Sequence, residues 1–325
     1  MKSNRNIKRK NYNFVPYDEF EKNRDNVKKI KRLIILFIIL ITVILIIITR
    51  NIQLNMETSD ESASIAIMQS QIEEEKNREI IEKEKAQKEE EEKRKKEEEE
   101  RKARLPQLTE VGKENMKHIY HSETKRAFIT FDDGPSNITP QILDTLKEEG
   151  VKATFFMLGC NVVNFPETTK RVYNEGHYIA NHGYTHQYSS IYSSTQAVLD
   201  EYNRCNEAVK NALGEPEYNS HLFRFPGGMP GGKYASLKKE ARQLLEDNGI
   251  LSVDWNALTG DAETSHPQAD KLMQELQETT EGKNSVVILM HDAQAKKVTA
   301  DILPQVINYL REQGYELKTF YDIIK

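Results

Sequence analysis

Cysteine and net charge are the two features in which this sequence is poor. It contains only two cysteines, Cys160 and Cys205, among 325 residues. Two are too few for the disulfide framework of a small secreted domain, although a single bridge between them stays open. The 46 lysines and arginines are nearly balanced by 51 aspartates and glutamates, which leaves a net charge of −5. So small a net charge gives no indication of a nucleic-acid or polyanion partner.

Charge is absent altogether from residues 33–49 (LIILFIILITVILIIIT). A helix of this length spans about 26 Å, close to the ~30 Å hydrocarbon core of a bilayer, and flanking Arg32 and Arg50 can reach the interfaces. A cleavable signal peptide is the alternative, but its apolar part is usually only about 7–15 residues long. Basic residues crowd the N-terminal side, so we expect a single-pass anchor in the plasma membrane. Residues 1–32 would then be a cytoplasmic basic tail, with the remainder outside the cell.

Residues 73–104 consist almost entirely of Glu, Lys and Arg. A coiled coil needs apolar residues at regular heptad positions, and this segment has no such pattern. Glu residues instead precede Lys or Arg by four positions, as in Glu89 and Lys93, and each such pair stabilises a helix by ~0.2–0.5 kcal/mol. We therefore expect a solitary, solvated helical spacer at 73–104, between a polar linker at 50–72 and a connector at 105–124.

The last part of the chain, residues 125–325, has the alternating pattern of a globular α/β domain. Amphipathic segments typical of helices separate short apolar runs typical of strands. Alternation of strand and helix predicts parallel strands, and about seven strands in this length predict a distorted parallel (β/α) barrel. The seven predicted strands are AFITF (127–131), ATFFM (153–157), YIAN (178–181), LFRF (222–225), ILSVDW (250–255), SVVILM (285–290) and YELKTF (315–320).

Chemically capable side chains follow five of these strands. In a parallel barrel the carboxyl ends of the strands meet at one rim, where catalytic groups gather. Each motif has a plainer explanation: a DDG sequence forms turns, and two histidines can simply be exposed. Their convergence on one rim favours a site. The five segments are Asp132–Pro135, Asn181–His186, Arg224–Gly228, Asp254–Asp261 and Met290–Asp292.

His182 and His186 have a spacing that suits two ligands of one metal ion. A carboxylate from the end of the first strand would complete a set of two imidazoles and one carboxylate. Such a set leaves coordination positions open, as in catalytic rather than structural metal sites. Arg224, expected to be buried, needs a carboxylate partner, for which Asp132 is the candidate. His291 is either a core histidine or a general acid beside the metal.

Five motifs in this order resemble those of the polysaccharide deacetylase family, the NodB-homology or carbohydrate esterase 4 group. They are TFDDGP (130–135), HGYTH (182–186), FRFPGG (223–228), DWNALTGD (254–261) and ILMHD (288–292). The resemblance covers about 125–325 and leaves the first 120 residues unaccounted for. It implies the same barrel that the strand count predicts.

The resemblance also implies a metal centre. Asp133, His182 and His186 match the family's metal ligands. One carboxylate and two imidazoles suit Zn²⁺ best, and Co²⁺, Ni²⁺ or Mn²⁺ would also accept them.

The proton-transfer groups follow from the same motifs. Asp132 matches the catalytic base and Arg224 the residue that orients it. His291 matches the catalytic acid and Asp261 the carboxylate that tunes its pKa. The backbone N–H of Gly227 is expected to help hold the oxyanion of the tetrahedral intermediate.

The expected substrate is an acetylated glycan. With an anchor in a bacterial cell membrane, we expect the domain to face the wall and to deacetylate N-acetylglucosamine in peptidoglycan. Muramic acid, an exopolysaccharide, chitin-like oligomers and O-acetylated xylan are alternative substrates. Other classes of function stay open as well: a non-catalytic wall-binding module, or a stalk protein whose charged helix is the functional part. Nothing in the sequence indicates an oligomeric state.

Three positions depart from the family pattern. Gly183 stands where a serine or threonine usually follows the first histidine, so a contact that braces this loop must come from elsewhere. Gly227 replaces an aromatic residue, which predicts a more open groove wall. Ala262 replaces a tryptophan, and Trp255 lies upstream. All the expected ligands and proton carriers are retained, so these departures concern substrate preference.

Overall fold

The computed structural model describes residues 17–54, 59–264 and 266–325. Half of the predicted cytoplasmic tail, residues 1–16, lies outside the described residues. So do residues 55–58 of the predicted linker. The chain divides into two units, one ending at Lys93 and the other spanning Arg94–Lys325.

The described part of the first unit consists of two helices, α1 (Tyr17–Leu54) and the greater part of α2 (Ser59–Arg104). Within α1, Val27–Arg50 is a candidate membrane span of 24 residues that is long and apolar enough to cross a bilayer. It contains the predicted anchor at 33–49, and none of it is buried inside the protein. Large apolar side chains that stay exposed along a whole helix need an apolar surrounding, which a bilayer supplies.

The charged helix α2 is longer than predicted. It begins at Ser59, so residues 59–72 of the predicted polar linker are helical. All side chains from 68 to 100 are exposed, as expected for a helix held by its own charge pairs rather than by packing.

The last turn of α2 is not solitary, which differs from the prediction. Leu105 is buried in the hydrophobic core of the second unit. The Tyr321 hydroxyl donates a hydrogen bond of 2.9 Å to the Arg104 carbonyl, and Arg101 forms an ion pair with Glu215. These partners lie more than a hundred positions away in the chain, so local sequence gives no sign of the contact.

The second unit contains eight strands and ten further helices among the described residues. The strands are β1 (Arg126–Asp132), β2 (Thr154–Met157), β3 (Tyr178–Asn181), β4 (Leu222–Phe223), β5 (Leu251–Ser252), β6 (Ala257–Leu258), β7 (Ser285–His291) and β8 (Glu316–Lys318). The helices are α3 (Glu110–Lys117), α4 (Thr139–Glu148), α5 (Gly159–Asn164), α6 (Pro166–Asn174), α7 (Tyr188–Ile191), α8 (Thr195–Leu213), α9 (Ala235–Asp247), α10 (Ala269–Thr280), α11 (Lys297–Glu312) and α12 (Tyr321–Ile324).

All described strand pairs are parallel, in the order β5-β4-β3-β2-β1-β7-β6. Strand β1 pairs along its whole length with β7, while its other edge pairs first with β8 and then with β2. The sheet curls but stays open between β5 and β6, so the predicted distorted (β/α) barrel is confirmed. All seven predicted strands are present, and the two-residue β6 was missed.

The parity of each strand decides which side chains face the site. In β1, Ala127, Ile129 and Phe131 pack in the core between the sheet and the outer helices. Phe128 packs instead in a second cluster enclosed by the curled sheet. Because successive side chains of a strand point to opposite faces, Asp132 continues the inner row of Phe128. The carboxyl ends of the parallel strands therefore present polar side chains inward at one rim.

Candidate metal centre and proton-transfer site

Three side chains that the sequence singled out as metal ligands converge at the rim. One ligand atom from each of Asp133, His182 and His186 lies within 4.8 Å of the others. Oδ1 of Asp133 is 3.6 Å from Nε2 of His182 and 3.4 Å from Nε2 of His186. Two ligands about 2.1 Å from a tetrahedral ion lie about 3.4 Å apart, so the spacing suits a small divalent cation.

The hydrogen bonding of the same atoms also fits an ion. Oδ1 of Asp133 is buried and accepts no hydrogen bond from any described residue. A buried carboxylate oxygen is normally satisfied, so an orphan facing two imidazole nitrogens points to a cation between them. Nδ1 of His182 lies 2.8 Å from the Arg224 carbonyl, which can only accept. Nδ1 therefore carries the proton, and the lone pair of Nε2 faces Asp133.

His182 is held in the form that a metal needs. Burial lowers its pKa to about 3, more than the nearby charge of Asp133 raises it, so the ring is neutral at physiological pH. Neutral imidazole is the form that coordinates metal ions.

Asp132 and Arg224 form a buried ion pair behind the ligands. Nη1 of Arg224 donates to Oδ1 of Asp132 at 2.7 Å, and neither side chain is more than 3% exposed. Arg224 also donates to the Thr130 hydroxyl and to the Val253 and Asp254 carbonyls. Burial raises the pKa of Asp132, while the charges of Arg224 and His291 oppose this. The fixed guanidinium thus favours the ionised form of Asp132 against the larger effect of burial.

His291 and Asp261 form a second pair, on the other side of Asp132. His291 is the register partner of Asp132 on β7, so both lie at the same height of the rim. Its Nδ1 donates to Oδ1 of Asp261 at 2.8 Å, and Oδ2 of Asp261 accepts from the His291 N–H and the Thr299 hydroxyl. Burial alone lowers the pKa of His291, but the bond to Asp261 and the surrounding carboxylates overcome it, and the net pKa is raised.

The predicted oxyanion loop lies at the same cleft, where Gly227 and Gly228 adopt φ of 76° and 72°. This left-handed conformation favours glycine. The Pro226 carbonyl accepts a 2.6 Å bond from the Tyr192 hydroxyl, and the Met229 N–H donates to the Asp254 carboxylate. No described residue accepts a hydrogen bond from the Gly227 N–H, which leaves it available to a substrate oxygen.

These residues line a cleft of about 360 Å³. The cleft wall includes every expected ligand and proton carrier except Arg224, which lies behind Asp132. A larger cavity of about 730 Å³ lies at the amino ends of the strands and lacks such a ligand set among the described residues. The chemistry of the lining, rather than its size, therefore identifies the candidate site.

The three departures from the family pattern have structural explanations. Gly183 has φ of 88°, a conformation that disfavours serine or threonine. The space beside Gly227 is not open as predicted, because the Tyr188 hydroxyl lies 2.5 Å from where a Cβ at 227 would be. Trp255 and Ala262 both line the cleft, so the one tryptophan still contributes to its wall.

Sequence reasoning missed Glu201 and Tyr188. Glu201 on α8 accepts hydrogen bonds from the loop that joins the two histidines, and it supplies the brace expected from elsewhere. The only sequence signal is that Glu201 lies on the apolar face of α8, between Val198 and Cys205.

Both cysteines are free, so the disulfide bond that the sequence allowed between Cys160 and Cys205 is absent.

Comparison with known proteins agrees with this geometry. The family model described as polysaccharide deacetylase matches residues 120–251. A peptidoglycan-N-acetylglucosamine deacetylase of Bacillus cereus is 32% identical over 217 residues, which cover 66% of this chain and 76% of that protein. A carbohydrate esterase 4 structure from Streptococcus mutans matches with a TM-score of 0.59 and 32% identity, over 65% of this chain and 92% of that one. The catalytic domain of a Eubacterium rectale peptidoglycan N-acetylglucosamine deacetylase matches with a TM-score of 0.55 and 30% identity, over 61% and 90% of the two chains. The chain therefore belongs to the polysaccharide deacetylase family and is a hydrolase.

Proposed function

We propose that this protein removes acetyl groups from N-acetylglucosamine residues of peptidoglycan, in a hydrolysis that depends on a divalent metal ion. The observation that carries the proposal is the orphaned Oδ1 of Asp133, 3.4–3.6 Å from two imidazole nitrogens and beside two ordered proton-transfer pairs. The names of the Bacillus cereus and Eubacterium rectale relatives support peptidoglycan as the substrate.

Asp133, His182 and His186 would hold the ion, with Zn²⁺ as the first expectation and Co²⁺, Ni²⁺ or Mn²⁺ as alternatives. When bound, such an ion supplies a Lewis acid that polarises the acetyl carbonyl and acidifies a water molecule.

Asp132 acts as the general base in this mechanism. Its carboxylate is buried, is held by Arg224, and has one oxygen, Oδ2, 3.8 Å from Nε2 of His182. This oxygen thus faces the ligand cluster and would take the proton from the attacking water. Arg224 fixes the orientation of the base. Such a proton transfer contributes ~10²–10⁴ in rate.

His291 acts as the general acid. Asp261 holds its Nδ1, so Nε2 is directed away from that partner, and the raised pKa keeps the ring protonated further into the neutral range. Nε2 would give its proton to the departing sugar amine. The N–H of Gly227 would donate to the oxyanion as the acetyl carbon becomes tetrahedral.

The test is acetate release by detergent-solubilised full-length protein incubated with peptidoglycan and with each of the four metals. Mass spectrometry of the digested glycan should find glucosamine in place of N-acetylglucosamine. Asp132→Asn should abolish release, while Asp301→Asn, an exposed aspartate on α11, should leave it unchanged. If acetate is released only from muramic acid, chitin oligomers or O-acetyl xylan, that glycan would be the substrate instead of peptidoglycan N-acetylglucosamine. No release from any of them would refute the enzymatic proposal.

We also propose that Val27–Arg50 anchors the protein with its N-terminus in the cytoplasm and its hydrolase domain facing the wall. The basic residues on the N-terminal side of the span support this orientation. Protease added to intact wall-stripped cells should digest the domain and spare the tail. A mature protein that starts after residue 49 would instead identify a cleaved signal peptide.

A further inference from the structure

The two imidazoles of the proposed metal centre are held in different ways. His182 is buried, and its Nδ1 is fixed by the Arg224 carbonyl. The His186 side chain is 34% exposed, and no described residue hydrogen-bonds its second ring nitrogen. Metal-bound histidines are normally oriented by a hydrogen bond to that nitrogen. The His186 ring contacts the rings of His182 and Tyr188, but no hydrogen bond to its second nitrogen directs it, so its direction depends strongly on its backbone.

That backbone is in an unfavourable conformation. His186 has φ of 57°, in the left-handed region that side chains with a Cβ rarely adopt, and Gly183 in the same loop has φ of 88°. Glycine adopts a positive φ without steric cost, so His186 is the strained position of this loop. A strained residue keeps its conformation only if the surrounding structure holds it.

Glu201 supplies the contacts that hold this loop. Its Oε2 accepts from the N–H groups of Tyr184 and Thr185, both at 2.7 Å, and its carboxylate also accepts from the Thr185 hydroxyl at 3.1 Å. Both N–H groups belong to residues just before His186. Bonds from N–H to an ionised carboxylate are short and strong.

Because Glu201 is buried, its carboxylate needs the N–H groups of the loop as much as the loop needs the carboxylate. Glu201 is only 4% exposed. Its one described cationic neighbour, Arg204, is 3.5 Å away and has a side chain that is 56% exposed. An exposed cation compensates a buried charge weakly, so the loop N–H groups are the main partners of this carboxylate. The carboxylate and the loop therefore fix each other.

We propose that Glu201 is a positioning residue for the metal centre: by clamping the N–H groups of Tyr184 and Thr185, it fixes the backbone that directs Nε2 of His186 at Asp133. This inference rests on the proposed function, because it assumes that Asp133, His182 and His186 bind a metal ion. Glu201 itself lies behind the loop and touches neither ion nor substrate.

The test measures metal binding rather than turnover. Metal-free full-length protein in detergent is titrated with Co²⁺, whose visible absorption reports both affinity and ligand geometry. Glu201→Ala should weaken Co²⁺ binding by about 10–100-fold and change the spectrum. Glu201→Gln should lose less, because its amide oxygen can still accept from the loop but carries no charge.

Asn206→Ala is the matched control. Asn206 is buried on the same helix and holds the Tyr218 carbonyl and the Ser220 N–H, away from the metal loop. It should lower the midpoint of thermal unfolding without moving the Co²⁺ affinity or spectrum. If Glu201→Ala binds Co²⁺ with the affinity and spectrum of the wild type, this inference is overturned, while the proposed metal site is not. Wild-type protein that binds no Co²⁺, Zn²⁺, Ni²⁺ or Mn²⁺ would overturn the proposed function itself. Should Glu201→Ala fail to fold, Glu201→Gln decides, and an unchanged affinity there refutes the inference.

Discussion

Replacing Arg224 by methionine should be among the most destabilising single changes in this domain. The side chain is completely buried and donates to one carboxylate, one hydroxyl and two carbonyls. Its guanidinium also lies 3.9 Å from the centre of the Phe156 ring. Methionine keeps much of the volume and the contact with that ring but removes the charge and every donor. The variant therefore isolates the electrostatic part of the Arg224 contribution.

The expected loss in the free energy of unfolding is about 3–5 kcal/mol, the usual effect of removing one partner from a buried ion pair. Most of it should come from Asp132, whose charge would stay buried without a partner. Adding Asp132→Asn to Arg224→Met removes that charge. The double variant should consequently be more stable than Arg224→Met alone, although it contains one more substitution.

The effect should depend on pH with a sign that follows from the Asp132 pKa. Burial raises that pKa above its ordinary value of 3.8 in the folded protein, and loss of Arg224 should raise it further. A carboxyl group whose folded pKa is raised carries no penalty below its unfolded pKa. The penalty grows as the pH rises toward the folded pKa. The difference between wild type and Arg224→Met should thus be largest at about pH 7 and shrink toward pH 4.

Urea unfolding of metal-free, detergent-solubilised protein tests this prediction, with Trp255 as the reporter. It is the only tryptophan in the chain, and its ring lies 5.9 Å from the Arg224 guanidinium. A loss of stability that is equal at both pH values would show that the charge of Asp132 does not cause it. A double variant less stable than Arg224→Met would contradict the reasoning in the same way.

Three further substitutions probe single contacts. Asp261→Asn removes the charge that raises the pKa of His291, so the decrease of acetate release at high pH should begin at a lower pH. An unchanged pH profile would exclude His291 as an acid whose pKa Asp261 raises. Gly183→Ser restores a residue common in the family, but position 183 has φ of 88°, which a side chain with a Cβ disfavours. The free energy of unfolding in urea should fall by about 1–2 kcal/mol, and an unchanged value would contradict strain at this position. Tyr188→Ala opens the cleft beside Gly227 and should raise KM for the glycan by about 3–10-fold, as expected for the loss of one aromatic contact, with little change in kcat. A fall in kcat alone would show that Tyr188 acts in the chemical step and not in binding the glycan.

Much of the barrel was predictable because its strands are short apolar runs with clear limits. β1 and β7 have seven residues each, and both have neighbouring strands on their two edges. Strands inside a sheet are mostly buried, so both are long apolar runs in the sequence. β6 was missed because Ala257–Leu258 is only two residues long, and its strand character comes from pairing with Ile288 and Leu289 on β7. A pairing with a distant strand leaves no local pattern.

The candidate site was predictable for a related reason. Residues that directly follow parallel strands must share a rim, so the order of the motifs was enough to bring Asp132, Asp133, His182 and His291 together. Glu201 and Tyr188 were not predictable in this way, because both lie on helices after the histidine loop. Their roles depend on the backbone of Tyr184 and Thr185 and on the space beside Gly227, which only coordinates reveal.

The balance of charge at the rim gives an argument for a cation that is independent of the family. Four carboxylates gather at the ends of β1, β6 and β7, namely Asp132, Asp133, Asp261 and Asp292. Arg224 compensates Asp132, and His291 compensates Asp261. Burial, with the charges of Asp133 and Asp132, raises the pKa of Asp292 to about 7, so this group can be neutral at physiological pH. Oδ1 of Asp133 and Oδ1 of Asp292 are both buried with no donor among the described residues. Because Asp292 can be protonated, Asp133 is the carboxylate that still needs a partner. Since a buried carboxylate oxygen normally has a partner, Oδ1 of Asp133 is expected to share one with the imidazoles of His182 and His186 beside it. A divalent cation can bind all three ligand atoms at once, whereas a single water molecule has only two hydrogens to donate to them.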